Sequence, residues 1–171
     1  MLYKEELIQK MKDYFENDKK RINHSLLVTN YAEELIKLCK EKDIKETMNT
    51  AVIIYSAILH DIGIKNSEEK YNSAAAKYQE IEGPPVVRNI LSSFPIDEEI
   101  IDEVCGIVAN HHSPGNINTY HFKLLYDADW LVNLPDLHDL SKKSNQEIIK
   151  IIDKLYLTEV GKNKAKAIFL L

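Results

Sequence analysis

Apolar residues recur at three- and four-residue steps along the first forty positions, as Leu7, Met11, Tyr14 and Phe15 and then as Val28, Tyr31, Leu35 and Leu38. A stripe with this period is one face of an amphipathic helix, so the pattern predicts helices near Tyr3–Glu16 and Arg21–Glu41. Thr50–Leu59 is almost continuously apolar and could pass for a buried strand. Its length, and the small Ala51, Ser56 and Ala57 spaced through it, favour a helix buried on most sides. Gly63 then stands where a left-handed cap would sit. A helix is expected over Ser67–Glu82, with Gly83-Pro84-Pro85 ending it and opening another that Pro95 closes. Asp97 is the expected N-cap of a helix reaching about Asn110, in which Gly106 costs about 1 kcal/mol relative to Ala and would permit close backbone packing. After the polar Ser113-Pro114-Gly115-Asn116 loop, helices are expected at His121–Asn133, Asn145–Leu157 and Glu159–Leu171. Glycine and proline are few and fall mostly where the periodicity stops, which makes the expected fold class all-α.

Length and charge narrow the picture. The 171 residues, 44% hydrophobic, suffice for one domain with a buried core and are too few for two ordinary ones, so residues 1–171 are expected to form a single domain. With 22 Lys+Arg against 27 Asp+Glu the net charge is -5, which argues against duplex nucleic acid as the main partner. The N-terminal segment mixes acids and bases and lacks a secretory pattern. The longest uncharged apolar run, Thr47 to His60, falls short of the roughly 20 residues that cross a bilayer, so no membrane partner is expected. Cys39 and Cys105 form no CxxC pair; free thiols in a reducing cytoplasm are the expectation.

Candidate chemistry centres on histidines and aspartates. His24 shares a helix face with Val28, Tyr31 and Leu35, so its imidazole is expected to point inward. His60 and Asp61 end the most apolar helix, where a carboxylate is costly to desolvate unless it is paired or coordinated. A buried His–Asp hydrogen bond and a metal site both fit this segment alone. In Asp127-Ala128-Asp129, residues two apart face opposite ways. Asp129 falls with Phe122, Leu125 and Val132 and is read as the buried acid, whereas Asp127, one turn after Lys123, is read as half of a surface pair. His111-His112 ends a helix beside a loop, a common place for ligands and acid/base groups and equally for an ordinary polar helix end. One histidine, a His-Asp pair and a distant aspartate form a mixed nitrogen and oxygen set suited to a borderline divalent metal.

With these residues in place the sequence resembles the HD superfamily of metal-dependent phosphohydrolases. The resemblance is carried by Arg21-x-x-His24-Ser25, Ala57-Ile-Leu-His60-Asp61-Ile-Gly63, Asn110-His111-His112 and Asp127-Ala128-Asp129, in the family's order over roughly the first three quarters of the chain. It implies an all-α, HD-domain-like bundle of about seven to nine helices around a central metal site, with His24, His60, Asp61 and Asp129 holding one tightly bound divalent ion, one of Mn, Co, Fe, Zn or Mg. One departure stands out: two-metal members place a further histidine four residues before a glycine, and before Gly83 that position is Gln79. A second metal, with Glu80 or Glu82 as a replacement ligand, is therefore less expected than one.

The implied chemistry is hydrolysis of a phosphate ester or anhydride of a nucleotide or similar phosphorylated metabolite. Asp61 would orient or deprotonate the attacking water, and His111 or His112 would protonate the leaving oxygen. Arg21 and Lys65 are candidate phosphate clamps, each also readable as a solvated surface cation. Tyr71, Tyr78, Phe94 and Trp130 could stack on a nucleobase, though most are expected in the core. A homodimer is the default assembly. Two rival classes remain: a metal-containing sensor that binds a phosphorylated ligand without turnover, and a structural helical protein with a hydrogen-bonded His/Asp core.

Overall fold

The computed structural model of the protein describes residues 2–41, 48–137 and 139–170; Thr47, His138 and Leu171 lie outside these. Its described elements are all helical, in the order α1 (Lys4–Phe15), α2 (Lys19–Glu41), α3 (Thr50–Leu59), α4 (Ile64–Tyr71), α5 (Ala76–Leu91), α6 (Glu98–Val108), α7 (Tyr120–Leu137), a short 3-10 turn (Leu140–Lys142), α8 (Asn145–Leu155) and α9 (Glu159–Phe169). None of these helices is long and apolar enough to cross a membrane. The all-α expectation therefore holds.

Helix α3 is the axis of the bundle. Every side chain from Val52 to Leu59 is buried, and α1, α2, α6 and α7 pack around it. That surrounding explains why the run lacks an amphipathic stripe: no face of the helix meets water. Asn49 caps its start by accepting the Ala51 N–H at 3.0 Å. Its far end passes through the tight turn His60–Gly63 directly into α4, with the Ile62 N–H closing on the Leu59 carbonyl and the Ile64 N–H on the Asp61 carbonyl, both at 3.0 Å.

Four local expectations need correction. Gly63 is right-handed (φ -71, ψ -16), so its need for glycine is spatial. An added Cβ would collide with the Gln79 carbonyl oxygen and lie 2.6 Å from the Gly83 nitrogen, because the α3–α4 turn lies backbone to backbone against α5. The single helix expected over Ser67–Glu82 is two helices, broken after Asn72, whose left-handed conformation (φ 50, ψ 38) ends α4. Gly83-Pro84-Pro85 does not terminate α5 but lies inside it. The missing proline N–H groups weaken that helix locally; buried Gly83, Val87, Ile90 and Leu91 hold it to the bundle. Gly106 has open space where its Cβ would be, so it serves no close backbone approach.

Asp127 is the largest correction. Its expected surface pairing with Lys123 fails because α7 is covered by α2, α3 and α9. The residue is fully buried. Its carboxylate accepts the Leu157 N–H (2.7 Å), the Thr158 N–H (2.9 Å) and the Thr158 hydroxyl (2.6 Å), and Thr158 in turn caps α9 by accepting the Gly161 N–H at 2.9 Å. Burial pushes this carboxyl up to about 6 against those three hydrogen bonds.

Asp127→Asn is expected to destabilise the fold, since the amide NH2 must face donors where an oxygen accepted them. The cost of a buried unsatisfied group is about 1–3 kcal/mol, a fall in melting temperature of several degrees by thermal denaturation. Because the native carboxyl is raised above its unfolded value of 3.8 to about 6, its protonation favours the fold below pH 3.8, and that contribution is lost as pH rises through about 6. The gap between the native protein and the variant should therefore narrow across this window.

Candidate metal centre

Helices α2, α3 and α7 pack on one another and bring three separated segments to one point. His24 comes from the second turn of α2, His60 and Asp61 from the end of α3, and Asp129 from the middle of α7. His24 Nε2 lies 3.1 Å from His60 Nε2, 3.1 Å from Asp129 Oδ1 and 3.5 Å from Asp61 Oδ2. His60 Nε2 lies 3.5 Å from Asp61 Oδ2 and 3.6 Å from Asp129 Oδ1. For ligand bonds of about 2.1 Å, donor atoms are separated by about 3.0 Å along an octahedron's edges and about 3.4 Å along a tetrahedron's. The observed separations fall around these values: His24, His60 and Asp61 form a group of potential donors for a divalent ion, and Asp129 Oδ1 stands beside both imidazoles.

The protonation state of His60 agrees with that fit. His60 Nδ1 donates to the Ala57 carbonyl at 2.9 Å, which leaves Nε2 as a lone pair aimed at the cluster. Burial lowers the His60 pKa despite both nearby carboxylates, keeping it neutral. For His24 burial works the same way, but the hydrogen bond and charge of Asp129, joined by Asp61, raise its pKa overall. Burial alone would raise Asp61; the adjacent His60 imidazole and the hydrogen-bonding His111 hold it below the usual carboxylate range.

His111 and His112 approach Asp61 from the end of α6. His111 is buried, donates from Nδ1 to the Val108 carbonyl at 2.7 Å, and places an otherwise unpartnered Nε2 3.5 Å from Asp61 Oδ1. Asp61, His111 and His112 thus form a second cluster of potential donors sharing Asp61 with the first. Burial disfavours the charged form of His111, but its hydrogen bond to Asp61 and that carboxylate's charge raise its pKa. Burial and the neighbouring charge of His111 push His112 down to about 4.

Gln79 does face this cluster. Its amide nitrogen donates to the Ala74 carbonyl at 2.6 Å, which fixes its oxygen 3.2 Å from His112 Nε2. Glu80 accepts from the His112 N–H and the Ser113 hydroxyl, while Glu82 is turned away to Lys70 and Tyr71.

A cavity of about 460 Å³ opens beside the first cluster, lined by His24, Asp61, His112 and Asp129 among others. Arg21 is on its wall, with its guanidinium held by Asp18 (2.7 Å) and Glu68 (2.6 Å). Lys65 is not brought to the cavity: its Nζ is tied to Glu16 at 2.8 Å and to the Tyr14 carbonyl at 3.0 Å. The four aromatics do not line it either; Tyr71 and Tyr78 stack on each other with ring centroids 4.1 Å apart, and Phe94 packs on Tyr3. Sequence reasoning missed Lys20 and Asn133, both on the wall. Asn133 was findable, since it follows Asp129 by one helical turn and shares its face.

Comparison with known proteins adds the family. A sequence model of the HD domain matches residues 21–158. No curated protein matches the chain. The crystal structure of a predicted HD superfamily hydrolase from an uncultured Thermotogales bacterium superposes with a TM-score of 0.68 over 97% of this chain and 84% of that one, at 19% identity, a likeness of fold. The family match runs from Arg21 through the Thr158 that anchors α9 and includes all four converging side chains, so the chain belongs to the HD-domain family of metal-dependent hydrolases.

Proposed function

We propose that the protein is a phosphohydrolase that cleaves a phosphate ester or anhydride of a nucleotide or similar small phosphorylated metabolite, with residues 1–171 working as one HD-type domain. The observation that carries this reading is the convergence of His24, His60, Asp61 and Asp129 beside an open cavity. These four side chains would hold one divalent cation, which when bound supplies Lewis acidity to a phosphoryl oxygen and acidifies water. Asp61 divides its oxygens: Oδ2 faces His24 and His60, and Oδ1 faces His111. Oδ1 is the atom placed to orient the attacking water and accept its proton. His111, whose pKa is raised, is the proton donor for the leaving oxygen, and the neutral His112 is a hydrogen-bonding group on the wall. Arg21, anchored by Asp18 and Glu68, retains N–H donors for a phosphoryl oxygen.

Phosphate release from a panel of nucleotides and sugar phosphates, with Mn²⁺, Co²⁺ or Mg²⁺ added, tests the reading. Turnover of any member supports it. Saturable binding of a phosphorylated ligand without turnover would instead identify a metal-containing sensor, the reading that the substitution at Gln79 keeps in contention.

Gln79 also bears on metal number. Its oxygen is committed to His112 and it brings no charge to offset a second dication, so one ion is tight and any second is weak. Gln79→His is expected to raise occupancy of a second site at Asp61, His111 and His112 in a metal titration, whereas Gln79→Ala, which frees His112 without adding a ligand, is not. Two tight ions in the unmodified protein would contradict this.

A further inference from the structure

We infer that Asn133 is a positioning residue for the metal centre, acting through the Asp129 carboxylate; this rests on the metal reading above. Asn133 Nδ2 lies 2.8 Å from Asp129 Oδ1, the same oxygen that lies 3.1 Å from His24 Nε2 and 3.6 Å from His60 Nε2. Facing a carboxylate, the amide must present its NH2, so the direction of this bond is settled by chemistry. One lone pair of Oδ1 is thereby taken up by Asn133 and the other is left to the imidazoles. The bond fixes the rotation of the Asp129 side chain.

The burial of Asp129 makes that control consequential. The residue is 9% exposed, and among the described residues neither a lysine nor an arginine is paired with it. Its orientation therefore depends on His24 and Asn133. His24 itself belongs to the ligand set, which leaves Asn133 as the external support that keeps Oδ1 aimed at the cluster. A hydrogen-bonding partner behind a metal ligand commonly contributes 10–100-fold in metal affinity. Asparagine is also a poorer helix former than alanine, so helix stability alone does not favour it in the interior of α7. Its place on the cavity wall leaves it in line with whatever enters.

The experiment is titration of Mn²⁺ into the full chain, previously dialysed against a chelator, followed by calorimetry, with the melting temperature of the metal-free protein measured in parallel. Asn133→Leu keeps the number and branching of side-chain heavy atoms without the donor, and Asn133→Gln keeps a donor that reaches back to an aspartate four residues earlier. Asn133→Leu is expected to weaken Mn²⁺ binding about 10–100-fold while leaving the metal-free melting temperature near that of the unmodified protein, and Asn133→Gln to restore most of the affinity. Unchanged affinity in Asn133→Leu, or equal losses in both variants, would overturn the inference with the metal reading intact. Absence of Mn²⁺ binding by the unmodified protein would overturn both.

Discussion

Asp61→Asn is expected to abolish stoichiometric metal binding and reduce phosphate release to background. Among the described residues the carboxylate is the group shared by both clusters, with Oδ2 at 3.5 Å from His24 and His60 and Oδ1 at 3.5 Å from His111. Asparagine retains one oxygen, removes the charge that offsets a dication, and turns an NH2 toward one side or the other. His60→Ala is expected to match it in metal loss, because its Nε2 is a preformed lone pair backed by the Ala57 carbonyl. A ligand bound only by the folded protein stabilises it by RT ln(1 + [L]/Kd), about 2.7 kcal/mol at a hundredfold excess over Kd. Added Mn²⁺ should therefore raise the melting temperature of the native protein and leave both variants unmoved. Metal retained by His60→Ala at the native level would refute the ligand set.

His111→Ala is the second large effect: turnover falls on the order of 10²-fold or more, as for loss of a general acid, while the first metal stays. The separation is possible because His111 contacts Asp61 through Oδ1, the oxygen that the first cluster does not use. His112→Ala should act more weakly and mainly on KM, since His112 is held neutral by burial and by His111 and is hydrogen-bonded to Gln79. The check is kcat and KM beside metal content for each variant. Loss of the first ion in His111→Ala would move that residue into the primary ligand set.

These expectations draw unequally on sequence and structure. His24 was legible because a 3.6-residue stripe tells which face of a helix is buried, and His60-Asp61 because a carboxylate ending an apolar helix demands a partner. Asp129 was singled out by the same facing argument, which failed for its neighbour Asp127. On α7 nearly every position from Phe122 to Leu131 is buried, so facing no longer separates inside from outside. The partners of Asp127 lie some 30 residues away and reach it only when α9 docks. Gly63 was noticed for the wrong reason: its Cβ is excluded by the backbone of α5, a contact that no local pattern encodes. The break after Asn72 has a local sign in an asparagine suited to a left-handed cap. Lys65 left the site through ties to Glu16 and Tyr14, long-range contacts of the same illegible kind.

The central claim is that His24, His60, Asp61 and Asp129 hold a single divalent ion beside the cavity. Anomalous diffraction from crystals of the full chain grown with Mn²⁺ tests it most directly. The account predicts one strong peak within about 2.2 Å of a donor atom of each of these four side chains. A principal peak bounded by Asp61, His111 and His112, without His24 or Asp129 in contact, would contradict it.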